Sequence, residues 1–327
     1  MQVSRRAFLK YCIGSAAILG LDIPVIRSLE KAMAAGGGPP VIWLSAAGCT
    51  GCTVSLANLA SASAPVDVAD LLISTIDLAY HTTLMGAAGD LAVSNLRDAA
   101  GGPFILAVEG GIPAAFGGKT CVVYSDGGRE VTALEAVRTL APAAVAVLAI
   151  GSCASFGGIP GSKPNPTGVM SVSAASGIPT INLSGCPPHP DWLVGAIARL
   201  LAGSTLRLDA ARRPTALYGG GLTVHDMCPR RNQPWAMTYG VDGSCLRGLG
   251  CKGTATYSDC PSRLWNNGTN WCIGANALCL GCTQPGFPDT FSPFYGSAGV
   301  LPGDDEHPFT TKQCIACHGE NGEWDDD

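Results

Sequence analysis

Between residues 40 and 205, short apolar runs alternate with amphipathic or small-residue segments. The runs PVIWLSA (40–46), VADLLIST (68–75), PFILAVEG (103–110), AVAVLAIGS (144–152) and PTINLSG (179–185) are nearly continuous in hydrophobicity. That is the pattern of strands buried on both faces of a parallel sheet. Segments 53–61, 129–140 and 190–202 carry helical spacing between them. Strands alternating with helices predict a doubly wound parallel α/β domain. After about residue 215 the periodicity fades, and Gly, Pro, Asn, Trp and Cys dominate to about residue 300. This stretch has too little aliphatic patterning to fold on burial alone, which predicts an irregular domain held by inorganic cross-links. No internal repeat of fixed period is visible.

Composition sharpens this picture. Of 327 residues, 47% are hydrophobic, only 14% are charged, and 43 are glycine. Low charge density with many small residues fits a chain that hides surface against a partner or around cofactors. The formal charge is −5, and outside the N-terminus no basic cluster is placed to neutralise phosphates. Nucleic acid is therefore excluded as a partner.

Residues 1–35 are read apart from the fold. SRRAFLK pairs Arg5 with Arg6, an apolar stretch runs from Ile13 to Leu21, and AMAAGGG offers Ala32-x-Ala34 as a cleavage site. This resembles a twin-arginine signal peptide, and predicts a periplasmic protein exported already folded. Removing residues 1–34, with five basic and two acidic side chains, leaves the remainder near −8. No later run reaches the roughly 18 apolar residues that a bilayer span needs. Membrane association would then come through a partner.

Fifteen cysteines in an exported chain would ordinarily form disulfides. Export in the folded state suggests instead thiolates that are occupied before transport. In an open parallel sheet, ligands collect beyond the carboxyl ends of the strands. Cys49 and Cys52 follow the first apolar run, Cys153 the run ending at Ile150, and Cys186 the run ending at Leu183. Each sits in a glycine-containing loop, where backbone N–H groups can approach sulfur closely. Four convergent thiols suit a [4Fe–4S] cubane; tetrahedral zinc and a disulfide-exchanging Cys49/Cys52 pair are the alternatives. The second half adds His225, Cys228, Cys245 and Cys251, a set able to hold another cluster, followed by Cys260, Cys272, Cys279 and Cys282. Cys121, in KTCVVYSDG, reads as a core thiol on an edge strand. His81 reads as satisfying a helix or interface hydrogen bond.

The order of SRRxFLK, GCTGCT, VEGGIP, AIGSCASFGGIP, NPTGV, GCPPHP, LGCKG, NWCIGANALCLGCTQPGFPD and SPFYG resembles the small subunit of [NiFe] hydrogenases, through about residue 296. The resemblance implies a flavodoxin-like first domain (36–210), a cluster-binding second domain (211–300), and electron transfer from a nickel–iron centre in a separate large subunit. It implies Cys49, Cys52, Cys153 and Cys186 as proximal-cluster ligands, and His225, Cys228, Cys245 and Cys251 as distal ones. Cys260, Cys279 and Cys282 match the medial ligands. Many relatives have proline where Cys272 stands, with a medial [3Fe–4S] cluster; a fourth thiol here predicts [4Fe–4S]. Oxygen-tolerant relatives carry extra cysteines at the positions of Gly51 and Gly158, so an ordinary proximal cubane and oxygen sensitivity are expected. Glu109 falls in the motif near the subunit interface and is read as structural. The electron acceptor expected is a cytochrome or a quinone-reducing membrane subunit.

The tail, residues 301–327, ends in TKQCIACHGENGEWDDD. Cys314-x-x-Cys317-His318 is the c-type haem attachment pattern, two thiols for the vinyl groups and a histidine for iron. A metal-binding, disulfide-forming or unmodified tail is the alternative.

Overall fold

The computed structural model describes residues 39–59 and 77–294, apart from Asn267, and a few positions between 23 and 28. The first half, in chain order, runs β1 (Val41–Ser45), α1 (Gly51–Ala57), β2 (Leu78–His81), α2 (Gly89–Ala100), β3 (Ile105–Glu109) and β4 (Ile112–Pro113). Then come β5 (Val122–Asp126), β6 (Arg129–Thr132), α3 (Ala133–Leu140), β7 (Ala146–Ile150), α4 (Gly151–Phe156), β8 (Val169–Met170), α5 (Val172–Ser176), β9 (Ile181–Leu183) and α6 (Pro190–Leu201).

Five strands form one sheet in the order β2-β1-β3-β7-β9, every neighbouring pair parallel. Side chains of a strand alternate between faces, so both must be apolar when helices cover both. In β1, Val41 and Trp43 join one core with Ile105, Leu148, Leu183 and the α6 residues Trp192 and Ile197. Ile42 and Leu44 join the other, with Leu106, Val147, Leu96 of α2 and Val137 of α3. This is the doubly wound parallel architecture expected from the apolar runs.

One expectation needs correction. Segment 129–140 is not one helix: Arg129–Thr132 is a strand paired with β5, and the helix starts at Ala133. Gly127 and Gly128 sit between those strands with φ of 57° and 82°. Positive φ at both loop residues makes the tight turn whose twist matches a hairpin, so the chain doubles back before the helix. Thr132 then caps the helix, its Oγ1 accepting the Glu135 N–H at 3.2 Å. KTCVVYSDG does form a strand, β5; Cys121 adjoins its start, its carbonyl accepting the Ala133 N–H at 2.9 Å, and its side chain packs half-buried against the second core. The strand expected at 68–75 lies outside the described residues; the strand beside β1 is Leu78–His81.

Beyond residue 215 no sheet forms among the described residues. Short turns of helix, including α7 (Val224–Met227) and α8 (Cys260–Arg263), surround a small core of Val224, Leu246, Leu249, Trp271, Ile273 and Leu278. Cys228 and Cys251 belong to that core. Cysteine thus takes the place that aliphatic side chains hold in the first half.

Candidate metal centres

The carboxyl ends of β1, β7 and β9 deliver four thiols to one edge of the sheet. Thr50 adopts φ 63° as α1 begins, turning the chain between Cys49 and Cys52. Cys52 Sγ lies 3.7 Å from the carbonyl of Ile150, the last residue of β7. Gly151 follows with φ 83°, and a Cβ there would stand 2.5 Å from Cys52 Sγ. The backbone of one strand end therefore touches the sulfur supplied by another, which only glycine permits.

The four thiols sense one another. Burial raises Cys52 well above the ordinary thiol range, and the Glu109 carboxylate, Cys153, Cys186 and Cys49 raise it further. Cys153 is pushed up to about 11, by burial first and then by Cys186, while the Ile159 N–H aimed at its sulfur works the other way. Burial and Cys49 raise Cys186. Several thiolates in a low-dielectric pocket repel, so their joint deprotonation calls for a cationic occupant.

Beneath this group lies a buried polar chain. Trp43 Nε1 donates to Glu109 Oε2 at 3.1 Å, and the Thr53 hydroxyl donates to the same oxygen. His81 Nδ1 accepts the Thr83 and Leu84 N–H groups at 3.0 and 3.2 Å. Its Nε2–H is thereby left to donate to Thr53 Oγ1 at 3.2 Å. His81 ends a strand and serves the turn after it, not a helix. Glu109 Oε1 is buried and has no hydrogen-bond partner in the described structure. Burial raises the Glu109 pKa against the opposing hydrogen bonds of Thr53 and Trp43.

A second group gathers Cys260, Cys272, Cys279 and Cys282. Burial raises Cys282 far above the thiol range, and Cys260, Cys272 and Cys186 add to the shift. Cys260 is pushed up to about 11, chiefly by burial, although the Ser258 hydroxyl lies 3.0 Å from its sulfur. Cys279 approaches Thr256 Oγ1 at 3.6 Å. Cys272 is at the surface, yet its charge reaches both Cys260 and Cys282, so the fourth thiol is brought to the group.

A third group lines one pocket: His225, Cys228, Cys245 and Cys251, with Gly253 and Ile273 among the walls. His225 precedes Cys228 by one turn of α7, whose start is fixed by a reciprocal Thr223–Asp226 capping box. The Arg230 N–H points at Cys228 Sγ from 3.4 Å.

The groups are joined in series. Ser152 Oγ accepts the Gly185 N–H and donates to the Cys282 carbonyl, linking the first to the second. The Lys252 N–H, next to Cys251, donates to the Cys279 carbonyl at 2.8 Å, linking the second to the third. All twelve described cysteines are unbridged. Among the described residues no three ligands are gathered tightly enough for a single metal ion. That spacing argues against one tetrahedral ion such as zinc in any of the three groups.

Gly158 carries the oxygen question. It has φ 54°, and a Cβ there would stand 2.8 Å from Cys153 Cα and 2.9 Å from its sulfur. In this backbone no cysteine fits at 158.

Residues that the motifs did not single out also matter. Ser152, Ser184 and Arg213 tie the strand ends to the carbonyls of Cys282 and Thr283. His189 caps α6 by accepting the Asp191 N–H, and its Nε2 meets the Leu264 carbonyl at 2.8 Å. Only adjacency to cysteine hinted at Ser152. Cys314, Cys317 and His318 lie outside the described residues.

Comparison with known proteins adds independent support. Residues 49–200 match the family model "NADH ubiquinone oxidoreductase, 20 Kd subunit", and residues 221–295 match the model for the C-terminal part of the NiFe/NiFeSe hydrogenase small subunit. The chain is 39% identical to the periplasmic [NiFeSe] hydrogenase small subunit of Desulfomicrobium baculatum, covering 90% of this chain and 99% of that one. It is also 39% identical to the periplasmic [NiFe] hydrogenase small subunit of Solidesulfovibrio fructosivorans, over 90% and 93% of the two. The solved [NiFeSe] hydrogenase of Desulfovibrio vulgaris Hildenborough superposes with a TM-score of 0.73 at 38% identity, covering 80% of this chain and 98% of that one.

Proposed function

Because the chain belongs to the small-subunit family of [NiFe] and [NiFeSe] hydrogenases, we propose that it relays electrons from H₂ oxidation in a large-subunit partner to an external acceptor. The observation that carries this reading is the series of three thiol groups, each tied to the next by hydrogen bonds between the cysteine-bearing segments. Cys49, Cys52, Cys153 and Cys186 would hold the proximal [4Fe–4S] cluster, nearest the partner's nickel–iron centre. Cys260, Cys272, Cys279 and Cys282 would hold a medial [4Fe–4S] cluster. His225, Cys228, Cys245 and Cys251 would hold the distal one. When bound, such clusters supply reversible one-electron chemistry. The protein's part is to fix their spacing, keep water out and aim N–H groups at sulfur, which stabilises added negative charge. No acid, base or nucleophile of this chain is required.

The remaining expectations extend this reading. Residues 1–35 would direct export by the twin-arginine route to the periplasm, and the relatives named above are called periplasmic. Residues 36–210, 211–300 and 301–327 would form the proximal-cluster domain, the medial and distal domain, and the tail. No helix among the described residues is long and apolar enough to cross a membrane. A cytochrome or a quinone-reducing membrane subunit would take the electrons; a relative in Wolinella succinogenes, 37% identical, is called quinone-reactive. Cys314, Cys317 and His318 would attach a haem c that lengthens the path.

Iron and acid-labile sulfide analysis of the exported complex tests the core of this. About twelve irons per chain are expected, roughly four per cubane. A colourless complex without sulfide, or one holding zinc, overturns it. Electron paramagnetic resonance of the oxidised complex tests Cys272: one full equivalent of [3Fe–4S] signal rules out the medial cubane.

A further inference from the structure

Ser152 opens α4 one residue before Cys153 and is 1% exposed. Its N–H donates to the Gly185 carbonyl at 2.9 Å, and its Oγ accepts the Gly185 N–H at 2.9 Å. The hydroxyl hydrogen goes to the Cys282 carbonyl. One side chain thereby uses both its donor and its acceptor capacity to hold three cysteine-bearing segments together. Two belong to the first thiol group, and the third carries Cys282 of the second. Nearby, Ser184 Oγ donates to the Thr283 carbonyl at 2.8 Å and Arg213 Nη1 to the same carbonyl at 2.9 Å. Those two bonds grip the neighbouring peptide; Ser152 alone among them grips the ligand residue.

We propose that Ser152 is a positioning residue for electron relay, clamping the Cys282 peptide to the Gly185–Cys186 segment so that the spacing between the proximal and medial sites is fixed. The inference rests on the function proposed above. One electron passes from the proximal to the medial site; H₂ at the partner is the reductant and the external acceptor is the oxidant. No proton moves and no bond breaks at the bridge. Tunnelling falls steeply with gap width, so a loosened contact slows the crossing without touching the chemistry at nickel.

The test uses the co-expressed, purified complex with Ser152→Ala and Ser152→Thr, each first checked for iron and sulfide. In Ser152→Ala, H₂-driven reduction of a viologen dye is expected to fall threefold or more. Exchange of D₂ with solvent protons, which needs no outflow of electrons, should be unchanged. Spin–spin coupling between the proximal and medial sites should weaken, and amide exchange across residues 279–284 should quicken. Ser152→Thr, which keeps the hydroxyl, should restore relay and coupling. The proposal is overturned if loaded Ser152→Ala matches wild type in dye reduction and coupling. It is equally overturned if dye reduction and D₂ exchange fall together, if Ser152→Ala loses its iron, or if loaded Ser152→Thr relays as slowly as Ser152→Ala. A wild-type complex without iron would instead defeat the proposed function itself.

Discussion

The two halves of the molecule use cysteine in opposite ways. In the first, the sheet is sandwiched between two aliphatic cores, and the thiols stand just beyond the strand ends, Cys52 and Cys153 in the first turns of α1 and α4. In the second, Cys228, Cys245 and Cys251 are buried alongside Leu246, Leu249 and Ile273. One half is a scaffold that presents ligands; in the other, the ligands are much of the scaffold. Burying an aliphatic side chain contributes about 1.5–3 kcal/mol, and the first half has many. On the proposed function, the second, whose core is small, would draw much of its stability from the clusters its thiols hold.

Iron removal is the largest test of that contrast. Chelation under oxidising conditions is expected to abolish amide protection across residues 221–283 while β1, β3 and β7 keep theirs. Hydrogen exchange read by mass spectrometry decides it. Simultaneous loss in both halves would show that the sheet, too, depends on its metal.

A substitution in the first half probes the reverse case. Gly151→Ala places a Cβ 2.5 Å from Cys52 Sγ in a backbone with φ 83°. The backbone strain alone costs about 1–3 kcal/mol, and Cys52 must also move. The expected outcome is a folded sheet that has lost about four irons of one cubane, seen as unchanged far-ultraviolet circular dichroism with reduced iron content. A variant that unfolds entirely would join the scaffold and the ligand loops more tightly than the cores suggest.

How much of this could be read from sequence follows the same division. Cys49, Cys52, Cys153 and Cys186 were legible because each follows an apolar run, and a parallel sheet sends the ends of such runs to one edge. The hairpin at 122–132 was misread, because the strand Arg129–Thr132 runs straight into an amphipathic helix without a break in polarity. Helix α2 was not picked out: Ala92, Val93 and Leu96 make its buried face, and alanine gives little contrast. Ser152 was invisible as a function, since a serine's importance depends on two backbone groups meeting its hydroxyl, both from segments remote in the chain.

One contribution to the pH dependence of stability in the first half comes from a buried histidine. Burial lowers His81 from 6.5 to about 4. Between those values the unfolded chain binds a proton that the folded one refuses. The stabilisation is therefore complete above about pH 6.5 and is lost as pH falls toward 4, on the order of 3 kcal/mol. His81→Gln should flatten that part of the curve of melting temperature against pH. An unaltered slope would assign the acid sensitivity to the cysteine-rich half instead.

The smallest effect isolates local structure from metal altogether. Thr132 ends the misread strand and caps α3 through the Glu135 N–H. Thr132→Ala removes that acceptor and should cost about 1 kcal/mol, seen as a small drop in the denaturant midpoint. Because the cap serves a helix covering the second core, iron content and dye reduction should stay at wild-type levels. A loss of iron from so remote a change would mean that strain in α3 travels through the sheet to the thiol edge. The aliphatic half would then be no passive platform, and the contrast between the halves would be one of degree.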